Sequence, residues 1–495
     1  MKKILLLMIV ILAVTLAACS EDTDSGGSAV TTAAGESVAE NGDNAAEETT
    51  GGFADRQKVD DKIGEYDFNG ADFTVVLSTK QMNEPYFAEE QIGSPINDAV
   101  YDRTLAIEER FNVNLLLSDT GGDWSEVADA VRKTAMAGSG DYDLAVAHTF
   151  TGLTGLISTG YLYDWNEIPI VDMSQPWWNG NIRDTLTIDG KLYTTVSDYV
   201  YQRPMVIYFN KNMITDYSFE NPYDMVKSGT WTWDKLSTMA SAVSQDLNGD
   251  GVFDNSDQYG YSHCVGWQTV TVVHSNGMFL TETGSDGYPR YTPFETSKMK
   301  DIFDKFYKLL YEGNQTYHVI WEASHGAMGG YTPLFGNGQI LFAHSNTELL
   351  QGFTDVEIDF GMIPLPKYDD KQDGYRVIGD TQVMVVPIDV KDTEMTGVIS
   401  EALSAESYKN VVPAVYDVMY TNRYLRDEES YDMFNIIMDG LVYEFSWTFG
   451  EGNNMVYALP NLMTQKSTDL VSYYASNGSN PEASMVKFID SVLGK

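Results

Sequence analysis

Cysteine is nearly absent from this chain: its 495 residues include two, Cys19 and Cys264. No disulfide framework holds it together. At this length none is needed, because several hundred residues bury large apolar cores and divide into more than one lobe. Basic residues are scarce too. Against 72 aspartates and glutamates stand 31 lysines and arginines, a formal net charge of −41. Such a surface repels phosphate backbones and anionic headgroups, which excludes nucleic acid as a partner and attachment to a membrane through a basic face. The 6 histidines, at 148, 263, 274, 318, 325 and 344, show no H-E-x-x-H spacing. No G-x-S-x-G elbow and no Walker loop occurs, so zinc hydrolysis, serine esterase chemistry and ATP hydrolysis lack support. Carboxylates are too numerous for one pair to mark a glycosidase. Cys264 reads as a small buried residue, with a thiol mechanism left open.

What is present begins at the N-terminus. Lys2 and Lys3 precede an apolar run, Ile4 to Leu16, too short to span a bilayer. The run closes in Leu16-Ala17-Ala18-Cys19, which resembles a bacterial lipobox. The resemblance implies cleavage before Cys19 and acylation of that cysteine. The alternative is an ordinary secretory signal with a chance cysteine. Residues 1–18 thus read as a lipoprotein signal peptide, and 19–65 as the lipidated cysteine and a disordered acidic linker whose one aromatic is Phe53. This places the protein outside the cytoplasm, with acyl chains as its anchor.

The folded part begins near Tyr66. Phe73 to Leu77 reads as a buried strand. Ser94-Pro95 opens a helix that runs to about Phe111, and Val113 to Leu117 is the next strand. A helix from about Trp124 to Ala137 leads to a third strand, Asp143 to Ala147. This βαβαβ order predicts an α/β fold with a mostly parallel sheet. Further on, Val206 to Asn210 reads as a strand, and Trp233 to about Ser244 as a helix capped by Thr232. Met299, Ile302, Phe303, Phe306, Leu309 and Leu310 form a helical apolar stripe. Leu341 to Ala343 and Val383 to Val386 read as strands, and the segment from Thr393 to Leu493 as mostly helical. Aromatics make up 12% of the chain, including 31 tyrosines and 9 tryptophans. Packing explains most of them; the sharper reading is a surface that meets the C–H faces of sugar rings.

Several short stretches, in order, carry a family pattern: Asp141-Tyr142-Asp143-Leu144, Gly160 to Trp165, Pro176-Trp177-Trp178-Asn179, Lys191-Leu192-Tyr193, Tyr208 to Lys211, and Gly229 to Leu236. From about Tyr66 to the C-terminus the chain resembles bacterial extracellular solute-binding proteins of the sugar-binding class, of which maltose-binding protein is a distant member. The resemblance implies a two-lobe, periplasmic-binding-protein-like (type II) α/β fold with discontinuous lobes joined by a hinge. Lobe 1 would take residues 66–203 plus 381–412, and lobe 2 residues 204–380 plus 413–495. It implies no enzyme but a monomeric, lipid-anchored receptor of an ABC importer. The receptor captures a carbohydrate, an oligosaccharide by preference, through lobe closure and hands it to membrane permease subunits. The site would be the extracellular face of a membrane of Gram-positive type. Ligand candidates in such a cleft are His148, with Thr149, and Trp177, Trp178, Tyr199 and Tyr201 on one side. Trp267, Asn276, Trp321, Asn346 and Asp380 face them, and Trp447 reaches in from the tail. Alternatives are an exported glycosidase or other hydrolase, and a receptor for peptides or other solutes.

Asp246-Leu247-Asn248-Gly249-Asp250-Gly251-Val252-Phe253-Asp254-Asn255-Ser256-Asp257 is the strongest metal pattern. Oxygens at Asp246, Asn248, Asp250, Asp254 and Asp257, with the Val252 carbonyl, match a calcium loop, and Gly251 permits its sharp turn. The twelfth position is Asp257 where an EF-hand has glutamate, which predicts weak binding of a structural Ca2+. The competing reading is a turn stabilised by its own side chains.

Overall fold

Apolar runs buried on both faces become the strands of two sheets, and amphipathic stretches become the helices that cover them. In chain order the first elements are β1 (Ala71–Leu77), α1 (Pro95–Phe111), β2 (Val113–Asp119), α2 (Ser125–Ala137), β3 (Leu144–His148), α3 (Leu153–Ser158) and α4 (Asn181–Leu186). There follow β4 (Met205–Asn210), α5 (Trp233–Val243), β5 (Tyr259–His263), α6 (Trp267–Ser275), α7 (Ser297–Tyr311), β6 (Thr316–His318), β7 (Ile340–Asn346), β8 (Phe360–Ile363), β9 (Val377–Ile378) and β10 (Gln382–Val385). The last part holds α8 (Thr393–Glu406), α9 (Val412–Thr421), α10 (Glu428–Asp439), β11 (Leu441–Val442), α11 (Phe445–Phe449), α12 (Ala458–Thr464), α13 (Leu470–Asn477) and α14 (Ser479–Leu493). The structure is a computed structural model that describes residues 55–79, 86–319, 332–347, 349–350, 356–379, 381–421, 428–450 and 455–495. Cys19, Trp321 and Asp380 lie outside the described residues.

The first sheet has the order β10-β3-β1-β2. β1 runs parallel to β2 and β3, and β10 joins antiparallel to β3, with Gln382 opposite His148. The second sheet has the order β8-β4-β7-β5-β6, antiparallel across β8-β4-β7 and parallel across β7-β5-β6. The chain enters the second sheet at β4 and returns to the first at β10, so the first sheet is built from two separate stretches of chain while the second is continuous.

Local chemistry explains the element ends. Proline opens α1, and Asn112 closes it in the left-handed region (φ 49°), its N–H bonded to the Glu108 carbonyl. Ser94 makes no side-chain cap there. Thr232 caps α5 by accepting the Lys235 N–H at 3.3 Å. All six stripe residues of α7 are at most 3% exposed. Each such side chain contributes about 1.5–3 kcal/mol of burial, and together they clamp α7 to the second lobe.

Two expectations are corrected. The ordered fold starts before residue 66: Ile63 is buried, Asp61 pairs with Arg110 at 2.6 Å, and the Gln57 amide donates to the Lys409 carbonyl. Apolar and charge-pairing residues in 55–65 make that stretch a strap, while the linker's composition is confined to the residues before it. The C-terminal tail does not pack on the second lobe alone: α11 packs against α4 and α14 against α3, both first-lobe helices. A five-residue π-helix, Ser407–Val411, also interrupts the helical tail between α8 and α9. Among the described residues no helix is long and apolar enough to cross a membrane.

Candidate functional site

The carboxyl ends of parallel strands are where open α/β sheets present ligands. At the ends of β2 and β3 a row of rings gathers. His148, the last residue of β3, lies 4.8 Å from the Trp124 ring and 5.8 Å from Phe150. Phe150 meets Trp447 of α11 edge-on at 4.8 Å and Tyr457 at 6.4 Å. Trp124, His148, Phe150 and Tyr457 are half-buried and keep a surface to offer, whereas Trp447 is 6% exposed and lies behind Phe150. The Trp447 indole donates to the Gly379 carbonyl at 3.2 Å, beside β9. Two buried hydroxyls that follow strand ends, Thr149 Oγ1 and Thr347 Oγ1, have no hydrogen-bond partner among the described residues. Their loops follow β3 and β7.

Next to the rings lies the first crossing between the sheets. Tyr199 is buried, edge-on to Tyr86 at 5.6 Å and under the Arg103 guanidinium at 5.0 Å. The Tyr201 N–H donates to Tyr86 Oη, which itself donates to Gln382 Oε1. Tyr86, Arg103, Asp198, Tyr199, Tyr201 and Phe434 line a small cavity of about 50 Å³. Burial pushes the Asp198 carboxyl up to about 7.

The other candidates are placed differently. Trp177 and Trp178 are buried in the first lobe, and their indoles donate to the two oxygens of Glu401 at 2.8 and 3.0 Å. That carboxylate also accepts the Asp172 N–H. Burial pushes Glu401 up to about 7, against the pull of these three donors. Both indoles therefore serve packing here. Asn346 ends β7, and its carbonyl accepts from Tyr208 Oη. Trp267 is the first residue of α6, and Asn276 follows the helix's last residue. At 1.5 Å per residue they stand about 13 Å apart. Asn276 bonds the Val272 carbonyl and lines a separate cavity with Trp233 and Phe306. Sequence reasoning missed Trp124, Phe150, Tyr457 and Tyr86. Position after a strand end marked His148, and Phe150, two residues on, carried the same mark.

The Asp246–Asp257 loop winds as its glycines allow, with Gly251 at φ 81°. Asp246 accepts the N–H groups of Gly249 and Gly251, Asn248 that of Asp250, and Asp250 that of Val252. Asp257 is fully buried and accepts from Leu247 and Asp254. The donor chemistry fits calcium. The carboxylates here are turned to the loop's own backbone, and among the described residues no three acidic, histidine or cysteine side chains are grouped to hold a metal.

A family model described as bacterial extracellular solute-binding protein matches residues 108–411. No curated protein sequence matches the chain. Among solved structures, Mycobacterium tuberculosis UspC is similar at a TM-score of 0.57 and 14% identity, over 83% of this chain and 99% of that one. A sugar transporter of Rhizobium etli in an open conformation gives 0.54 at 15% identity, over 85% and 99%. A cyclo/maltodextrin-binding protein complexed with maltotetraose gives 0.53 at 15% identity, over 86% and 96%. The likeness is one of fold, the two-lobed type II arrangement.

Proposed function

The chain belongs to the bacterial extracellular solute-binding protein family, and on that premise we propose that it is the receptor of an ABC importer for a carbohydrate, an oligosaccharide. The observation that carries this reading is the row formed by Trp124, His148, Phe150 and Tyr457 at the strand ends. Flat apolar rings match pyranose C–H faces, and several adjacent rings suit a ligand of more than one sugar unit.

Capture proceeds by closure. A ligand that touches both lobes only when they are shut shifts the population toward the shut form. The closed receptor then engages permease subunits. The protein acts as a monomer and catalyses nothing. Cys19 carries the lipid that holds it at the outer membrane face, and Ca2+ in the Asp246–Asp257 loop is structural.

Thermal melting with maltotetraose and a panel of other oligosaccharides, with product analysis of each mixture, tests the reading. A saturating sugar adds about 2.7 kcal/mol at one hundred times its Kd, so one sugar should raise the melting temperature while remaining intact. Release of shortened products would replace the receptor with a hydrolase. A shift with peptides alone would replace the sugar.

A further inference from the structure

Residues 441–449 tie together parts of the fold that lie far apart in sequence. β11 pairs in parallel with β9, and Gly379 N–H donates to the Val442 carbonyl at 2.8 Å. Tyr443, fully buried, donates from its hydroxyl to Gln202 in the first crossing and from its backbone to Asn181 of α4. Its ring fills the place where a Cβ on Gly379 would sit, 2.2 Å away. The next residue turns the other way. Glu444 is 1% exposed, accepts the Leu280 N–H just after α6 at 2.6 Å, and accepts from the Ser446 hydroxyl. His274 of α6 faces it, Nε2 to Oε2 at 3.6 Å. Three residues further, Trp447 presses its ring against Phe150 of the first lobe.

A carboxylate this deeply buried costs free energy unless its partners are fixed. Its partners all belong to the second lobe or to the strap, while Trp447, three residues on, touches the first. We propose that residues 441–449 form an additional hinge-spanning strap, in which Glu444 is a positioning residue that holds Trp447 behind the ring row. Phe150 then presents its face to the ligand against a support anchored in the opposite lobe, so the ligand surface and the hinge move as one body. The link from ring row to ligand rests on the receptor reading above; the link from Glu444 to Phe150 does not.

The test uses the full-length protein and the variants Glu444→Ala, Glu444→Gln and Trp447→Ala. Hydrogen exchange on the unliganded protein reads the strap. Glu444→Ala should speed exchange about tenfold at 445–449 and at the loop 149–151, with β1 and β5 unchanged, as expected of a local opening. Glu444→Gln keeps an acceptor for Leu280 N–H and should restore slow exchange at both. Faster exchange at 445–449 with 149–151 unchanged overturns the coupling, and so does acceleration across both sheets. Maltotetraose titration forms the second arm. Glu444→Ala and Trp447→Ala should each weaken binding about tenfold, with the double variant no weaker than either single one. If the wild type ignores maltotetraose while exchange behaves as expected, the choice of sugar fails and the strap stands.

Discussion

Glu401 shows how a single buried acid redirects two large rings. The sequence offers Pro176-Trp177-Trp178 as an attractive stacking pair, and nothing local to it reveals that an acid over two hundred residues later collects both indole N–H groups. Burial decided the matter, and burial is a property of the fold. The histidines of the second lobe make the same point with a measurable consequence. His263 and His344 stand on neighbouring strands with their Nδ1 atoms 3.2 Å apart, and Tyr261 Oη lies 2.8 Å from His344 Nδ1. Desolvation lowers both, His263 well below the ordinary 6.5 and His344 to about 3. The unfolded chain therefore takes up protons below pH 6.5 that the native state refuses, and stability falls as pH falls, by about 1.4 kcal/mol per pH unit for each histidine. Glu401 and Asp198, raised to about 7, act with the opposite sign: the native state keeps their protons, a gain lost as pH rises through 7. Comparing His344→Leu with wild type isolates one contribution. In urea unfolding at pH 7, 5.5 and 4.5, the variant should gain on wild type as pH drops, with a slope near 1.4 kcal/mol per unit. Parallel curves would show that His344 takes up a proton in the native state as readily as in the unfolded one.

At the level of elements, periodicity was readable and two-residue pieces were not. The α7 stripe and the β1–α1–β2–α2–β3 order follow from spacing alone, because a long amphipathic run has few other ways to bury itself. β11 has two residues, and the π-helix at Ser407–Val411 is set by packing between α8, α9 and α1; neither leaves a pattern in the sequence. The Asp246–Asp257 loop sits between these cases. Its composition is legible, and whether an ion draws its carboxylates inward depends on a small balance with backbone hydrogen bonds. Extracellular calcium sites bind at about 10⁻⁴–10⁻³ M. Millimolar Ca2+ should thus raise the melting temperature of the wild type and leave Asp250→Ala, which loses the fifth-position ligand, unmoved. Since Asp250 also accepts the Val252 N–H, the comparison is made within each protein, with and without calcium. Equal calcium shifts in both proteins, or none in either, would leave the loop as a turn held by its own side chains.

For the whole molecule, the discontinuity of the first lobe follows from resemblance and not from any local pattern, since no stretch announces that β10 returns to the first sheet. The tail was the least legible part: its helices are plain, yet their partners, α3 and α4 on one side and α6 on the other, are a matter of tertiary packing. Attachment is argued at this scale as well. A chain carrying a net charge of −41 gains nothing from anionic headgroups, and none of the described helices offers a span. The anchor proposed above is acyl chains on Cys19; at about 0.8 kcal/mol per buried methylene two chains suffice where one is marginal. Cys19→Ser should therefore move the protein from the membrane fraction to the medium while its sugar-induced melting shift stays unchanged. Retention of the variant in the membrane fraction would assign attachment to another part of the chain, and loss of the melting shift would tie the N-terminal segment to the binding fold.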